Sequence, residues 1–252
     1  MGVSNDGKIK SALDHQGYAI LTDIAEIPDE SLLKTVRMRL QSMHAPRGSG
    51  SPYDRIFVRW QRQINPTHAT SEQLRNEQPD NKRPWLITDA KNCDRAALEY
   101  FSRENPLFTE AEDFFSALSR QLHVETLGPD HLLIQEIRYS DPMGNASIAD
   151  THWHTDQPPT YLTATASWMG PGTVLLPAND PIMRIGYPTR VGQLKGASGD
   201  QLPEGAVLVF YGQAGAEAPL WHRSPETVQP RLLLIHRLVN ASEAVSIRPA
   251  LN

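Results

Sequence analysis

Apolar and polar residues are patterned differently in the two halves of the chain. The first half carries stretches with a helical repeat. A short helix is expected over 8–16, followed by a strand in GYAILTDI (17–24). In IPDESLLKTVRMRLQSMHA (27–45), Leu32, Leu33, Val36, Leu40 and Met43 recur at helical spacing behind Asp29, a residue suited to cap them. IFVRWQRQI (56–64) alternates as a strand, with Phe57, Arg59, Gln61 and Gln63 on one face. Further helices are predicted over 93–103 and 109–124, the latter with Thr109 as N-cap, acids in its first turn, and Phe114, Phe115, Leu118 and Leu122 on one side. Residues 46–54 and 65–84 read as loops.

After residue 130 the period drops to two. HLLIQEIRYS (131–140), the ADTHWHTD region, YLTATASWM (161–169), TVLLP (173–177), MRIGY (183–187), GAVLVFYG (205–212) and RLLLIHRLV (231–239) each read as a strand. Short strands at this spacing, separated by Gly- and Pro-rich turns, indicate a sandwich or barrel. The expected fold is mostly β with flanking helices. A single domain over 1–252 is expected, with 1–130 as a helix-rich support and substrate-side region and 131–240 as the β core.

Composition narrows the functional classes. The 252 residues carry a formal charge of -5, so nucleic acid is not an expected partner. No apolar run reaches the length of a membrane span, and MGVSNDGKIKSAL lacks the apolar stretch of a secretory signal. Cys93 is the single cysteine, which excludes an internal disulfide and fits a reducing compartment. A cytoplasmic protein without a membrane partner is expected, and a homodimer is compatible with the composition.

The chemistry centres on THWHTD (151–156). In a strand, residues i and i+2 share a face and lie ~6–7 Å apart, so His154 and Asp156 can share one ion. His222, in HRSPE (222–226), is the third candidate ligand. Two histidines and a carboxylate leave open positions on an octahedral ion, the ligand set of non-heme Fe(II) oxygenases. Dioxygen and a bidentate cosubstrate would take the open positions. A cosubstrate such as 2-oxoglutarate carries a distal carboxylate that an arginine matches bidentately. Arg231, nine residues after His222, is the first candidate, expected on a strand antiparallel to that of His222; Arg237, on the same face, is a weaker one.

These features resemble the Fe(II)/2-oxoglutarate-dependent dioxygenase superfamily: H-x-D, a distant His, then an Arg about nine residues on, in a late β core. The likeness runs over about residues 130–240. It is closest over 150–240, where HTD, ASWMGPGTVLLP, LPEGAVLVFYGQ, HRSPE and PRLLLIHRL are similar to an uncharacterised bacterial branch. ALDHQGYAILTDI also resembles the opening of many members. The resemblance implies a double-stranded β-helix (a jelly-roll, cupin-like fold). It also implies Fe(II) on His154, Asp156 and His222, and 2-oxoglutarate on Arg231. Leu232 and Leu233 follow Arg231, where many members have Arg-x-Ser, so a second partner for the cosubstrate carboxylate is sought at Tyr139, Tyr161 or Thr163. A ligand aspartate, in place of Gly or Ala, argues against a halogenase.

Other readings compete. His152 with His154 and His222 would form a three-histidine site open to zinc, and the protein would then be a cupin-like ligand-binding sensor without oxygenase activity. Otherwise His152 orients a ligand, touches substrate or faces outward. Ser224 has no glycine-flanked elbow and is not read as a nucleophile, and GPGT (170–173) is read as a hairpin turn rather than a phosphate loop. Arg59 and Arg138 are candidate contacts for a small polar substrate, such as an amino acid or related metabolite; the alternative for Arg59 is a charged outer sheet face.

Overall fold

The computed structural model describes residues 5–22, 24, 27–43, 55–64, 106–122, 131–140, 151–158, 160–227 and 229–240. Cys93, the loops at 46–54 and 65–84, and the helix expected over 93–103 lie outside them.

Helix α1 (Asn5–Gln16) buries Ile9 and Leu13 and stops at Gly17. There φ is 77° and the amide closes a final turn onto the Leu13 carbonyl. Strand β1 (Tyr18–Leu21) follows. Helix α2 (Glu30–Met43) starts where the sequence places it: the Asp29 carboxylate accepts from the Ser31 amide at 2.6 Å, and Leu33 and Val36 turn inward. Strand β2 (Arg55–Ile64) starts one residue before its expected span of 56–64.

Helix α3 (Pro106–Gln121) begins three residues before the expected cap. Pro106 takes the first helical position, where its missing N–H has no partner to lose, so Thr109 is not the N-cap and its first turn is not acidic. The expected face is kept: Leu107, Ala111, Phe114, Phe115 and Leu118 are buried.

The remaining strands are β3 (His131–Ser140), β4 (Thr160–Met169), β5 (Val174–Leu175), β6 (Asp200–Gln201), β7 (Val207–Tyr211), β8 (His222–Arg223) and β9 (Arg231–Asn240). MRIGY departs from its expected strand. It lies in a short helix α4 (Pro181–Ile185) and the turn after it. Asp180 caps α4 by accepting from the Ile182 amide, and Pro181 presets its first turn, so cap chemistry outweighs the β-propensity of five residues.

One sheet has the order β1-β7-β4-β9-β3-β2 and the other β6-β5-β8, all antiparallel. Segment 151–156 is extended and joins the small sheet through one bridge, His154 to His222. Counting that segment, β3, β4, β7 and β9 form the body of the large sheet, while 151–156, β5, β6 and β8 form the small one. The chain thus crosses back and forth between two facing sheets, which pack through Leu175, Leu202, Leu208, Phe210 and Leu220. This is a double-stranded β-helix. GPGT therefore makes no hairpin. It carries the chain from β4 in one sheet to β5 in the other, helped by the Ser167 hydroxyl, which reaches the carbonyls of Met169, Gly170 and Pro171.

The large sheet has two unlike faces. Leu162, Ala164, Ala166 and Trp168 of β4, with Leu232, Leu234 and Leu238 of β9, pack beneath α1, α2 and α3. The residues between them, Thr163, Thr165 and Ser167 in β4 and Arg231 and Arg237 in β9, point the other way, between the sheets. The polar positions of these strands face the interior, and that is where the site lies. Among the described residues no helix is long and apolar enough to cross a membrane.

Candidate metal centre

His154 and His222 are brought together by the backbone. Each amide donates to the other's carbonyl at 2.9 Å, and the rings lie 4.4 Å apart between centroids. Asp156 is fixed two residues on. Its carbonyl accepts from the Gln213 amide at 2.9 Å, and the Gln213 side chain donates to the Thr155 hydroxyl at 2.8 Å.

Both rings are oriented by their Nδ1 atoms. His154 Nδ1 lies 2.9 Å from the His152 carbonyl, and His222 Nδ1 lies 3.1 Å from that of Leu220. A carbonyl only accepts, so each Nδ1 carries a proton, and Nε2 is the nitrogen of each ring left for another partner. Burial pushes His222 down from 6.5 to about 4, against the opposing pull of Asp156, so it is neutral at pH 7. Burial would raise Asp156, but Arg237, His222, the Thr163 hydroxyl and His154 together bring it to about 2.

Asp156 Oδ1 and His222 Nε2 are therefore two acceptors, only 3.7 Å apart. With His222 uncharged this contact is no ion pair, and a cation between the two atoms resolves it. One ligand atom from each of His154, Asp156 and His222 lies within 4.8 Å of the others. These three residues could together hold a metal ion.

His152 does not join it. Its ring is exposed, and only its backbone carbonyl serves the centre, by holding His154. The three-histidine arrangement is thus not formed.

Arg231 is 2% exposed, with Nη1 3.1 Å from Ser224 Oγ and Nη2 2.9 Å from Thr173 Oγ1. It is not on a neighbouring strand of His222, as expected. β9 belongs to the large sheet and β8 to the small one, so Arg231 reaches across the interior. Ser224 is two residues past His222, and Thr173 precedes Val174, the register partner of Arg223, so the guanidinium ends beside the strand that carries His222.

Tyr139 is corrected as a cosubstrate contact. It pairs with Leu232 and is fully buried on the helix-covered face of the sheet, because its parity in β3 is opposite to that of Glu136 and Arg138. Tyr161 also packs against that side, where its ring meets Tyr211. Thr163 does face the interior, but its hydroxyl donates to Asp156 Oδ2. Thr173 and Ser224 are the hydroxyls at Arg231.

Arg138 faces the interior, with Nη2 3.0 Å from Glu136 Oε2. Arg237 Nη1 lies 3.3 Å from the same oxygen, and its Nε 3.6 Å from Asp156 Oδ2. Glu136, 0% exposed, is a further residue of the site, and its sequence signal is an acid at the centre of the strand HLLIQEIRYS, in phase with Arg138. Arg59 is paired opposite Glu136 in the backbone register, and its side chain lies outside the described residues.

No family model and no curated protein matches the sequence. Solved structures similar to it include IDO from Bacillus thuringiensis, 13% identical with a TM-score of 0.49, over 94% of this chain and 99% of that one. SnoN, a non-heme α-ketoglutarate-dependent epimerase from nogalamycin biosynthesis, is 15% identical with a TM-score of 0.46, over 94% and 81%. The dioxygenase for auxin oxidation 1 from Arabidopsis thaliana, solved with 2-oxoglutarate, is 12% identical with a TM-score of 0.43, over 95% and 90%. The chemistry of the centre rests on its own residues.

Proposed function

We propose that the protein is a non-heme Fe(II)- and 2-oxoglutarate-dependent oxygenase acting on a small polar substrate, such as an amino acid or related metabolite. The observation that carries this is the convergence of two imidazole nitrogens and one carboxylate oxygen in the interior of a double-stranded β-helix, with a buried arginine beside them. Nitrogen and oxygen donors without thiolate suit Fe(II), and three protein ligands leave positions for exchangeable ones.

His154, Asp156 and His222 would hold the iron. When bound, iron would supply the site at which dioxygen is reduced while 2-oxoglutarate is decarboxylated to succinate and carbon dioxide, one oxygen atom entering succinate and the other acting on a substrate C–H bond. The chain's own residues prepare that chemistry. The His152 and Leu220 carbonyls hold both rings by Nδ1 and leave Nε2 free to face the metal, and His222 need lose no proton at pH 7 to bind it. Arg231 offers a charged, geometrically defined partner for the distal cosubstrate carboxylate, held in place by Thr173 and Ser224. Leu208 and Phe210, buried under the small sheet, limit water on that side. Arg138 is a contact for an anionic or amide group of the substrate. Arg59 and His152 stand as further candidates for the substrate. Hydroxylation is the default outcome, and desaturation or cyclisation would use the same residues.

Purified protein, loaded with Fe(II) and 2-oxoglutarate without oxygen, should show a weak visible charge-transfer band. A screen of amino acids and related metabolites should then find 2-oxoglutarate-dependent succinate release. Tight zinc binding with neither band nor succinate would overturn the oxygenase reading in favour of a metal-binding sensor.

A further inference from the structure

The two oxygens of Asp156 are treated differently by their surroundings. Oδ1 faces the His222 Nε2 lone pair. Oδ2 faces away from it and is met by donors: the Thr163 hydroxyl hydrogen-bonds to it, and Arg237 Nε approaches to 3.6 Å. Both donors come from the most enclosed part of the large sheet. Thr163 lies in β4, flanked by β7 and β9, and is 1% exposed. Its register partner in β9 is Arg237, so the two side chains stand side by side on the interior face.

Neither donor is loosely placed. Thr163 is β-branched and stiff at χ1. Arg237 is anchored at its far end, because its Nη1 lies on the buried carboxylate of Glu136, which Arg138 also holds. A carboxylate beside a metal can bind through one oxygen or both. Here Oδ2 already accepts from Thr163 and lies beside the Arg237 guanidinium, and turning that oxygen toward the ion would break a buried hydrogen bond and separate it from a cation.

We infer that Thr163 and Arg237 are positioning residues that commit Asp156 to binding metal through Oδ1 alone. This rests on the reading of His154, Asp156 and His222 as metal ligands. It goes beyond that reading by assigning two residues outside the ligand set to hold the carboxylate in that mode. An ion of six positions then keeps three for exchangeable ligands, enough for a chelating cosubstrate and dioxygen together. Glu136 gains a role as the anchor of Arg237.

The test uses Co(II), whose visible spectrum reports the ligands around it, titrated into the full chain without oxygen. In Thr163→Val, affinity should fall about 10- to 100-fold, as when an outer partner of a ligand is lost. Its Co(II) spectrum should also change, as the freed carboxylate takes a second position from an exchangeable ligand. Thr163→Ser keeps the hydroxyl and should restore both affinity and spectrum. Arg237→Gln should shift the spectrum in the same direction. Folding is checked by circular dichroism, and Ser decides the matter if Val does not fold. Wild-type affinity and spectrum in a folded Thr163→Val protein, or a serine variant as impaired as the valine one, would overturn the inference while leaving the metal site standing. A wild-type chain that binds no Co(II) would overturn the metal reading itself.

Discussion

Arg231 shows how much one side chain depends on its neighbours. Its guanidinium is almost fully buried and rests on the hydroxyls of Thr173 and Ser224. Lysine cannot reproduce that fork. Arg231→Lys should raise the KM for 2-oxoglutarate by about 10- to 100-fold, the range of one lost hydrogen bond to a charged group, while Fe(II) affinity stays near wild type. Initial rates against cosubstrate concentration, with a parallel metal titration, measure both. The two histidines of THWHTD should separate as cleanly. His154→Ala and Asp156→Ala should abolish metal binding and succinate release, whereas His152→Ala should retain metal binding, since only the backbone of residue 152 serves the centre. At this scale the sequence was informative where chemistry follows spacing: the i, i+2 relation of His154 and Asp156 is a property of any extended chain. It was silent on Tyr139, because the side of the sheet that faces the metal is set by what packs on the other side. Here α1, α2 and α3 claim the Tyr139 face.

Elements were legible where periodicity was long and lost where a local cap competed with it. β3 has the span its alternation predicts, and β9 runs one residue beyond its predicted end. α4 replaced an expected strand because Asp180 and Pro181 start a helix at once. GPGT looks like a turn of any kind in sequence, and only the pairing of β5 with β6 and β8 reveals a crossing between sheets. That crossing brings Gly170 against β9. Its φ is 76°, and a Cβ there would lie 2.3 Å from the Pro230 carbonyl oxygen. Gly170→Ala should therefore destabilise the fold by about 2–5 kcal/mol, combining left-handed backbone strain with overpacking. Urea unfolding of the metal-free chain measures it.

For the molecule as a whole, buried histidines set the response to acid. His236 sits on the helix-covered face, stacked on Phe115 at 5.8 Å, with the Gln135 amide donating to its Nδ1 at 3.3 Å. Burial lowers it from 6.5 to about 3. A depressed pKa means the unfolded chain takes up the proton first, so stability is full above about 6.5 and is lost as pH falls toward 3. His222 acts with the same sign between 6.5 and about 4, and Asp156 adds its loss between 3.8 and about 2. The urea midpoint of the metal-free protein should thus fall steadily from pH 7 to 4.5. His236→Phe should make that slope shallower without removing it, since His222 remains. An unchanged slope would show that His236 is not buried as described. The sequence gives no hint of this, because a histidine in RLLLIHRLV reads the same whether it faces helices or solvent.

The bridge between residues 154 and 222 has a mechanical consequence. It is a single rung: two reciprocal hydrogen bonds tie segment 151–156 to β8, with no ladder on either side. A rung of that kind opens by local fraying far more easily than the rows between β3, β4 and β9. An ion held by His154, Asp156 and His222 would act as a rivet through the same point, closing a long stretch of chain and favouring the closed form by mass action. The amide protons of His154 and His222 should therefore exchange quickly in the metal-free protein and slow by orders of magnitude on loading with a redox-inert ion such as Mn(II) or Zn(II). Those of β9 should barely change. Followed by mass spectrometry, that contrast would show the small sheet completed by its cargo, its last strand secured only when the metal arrives.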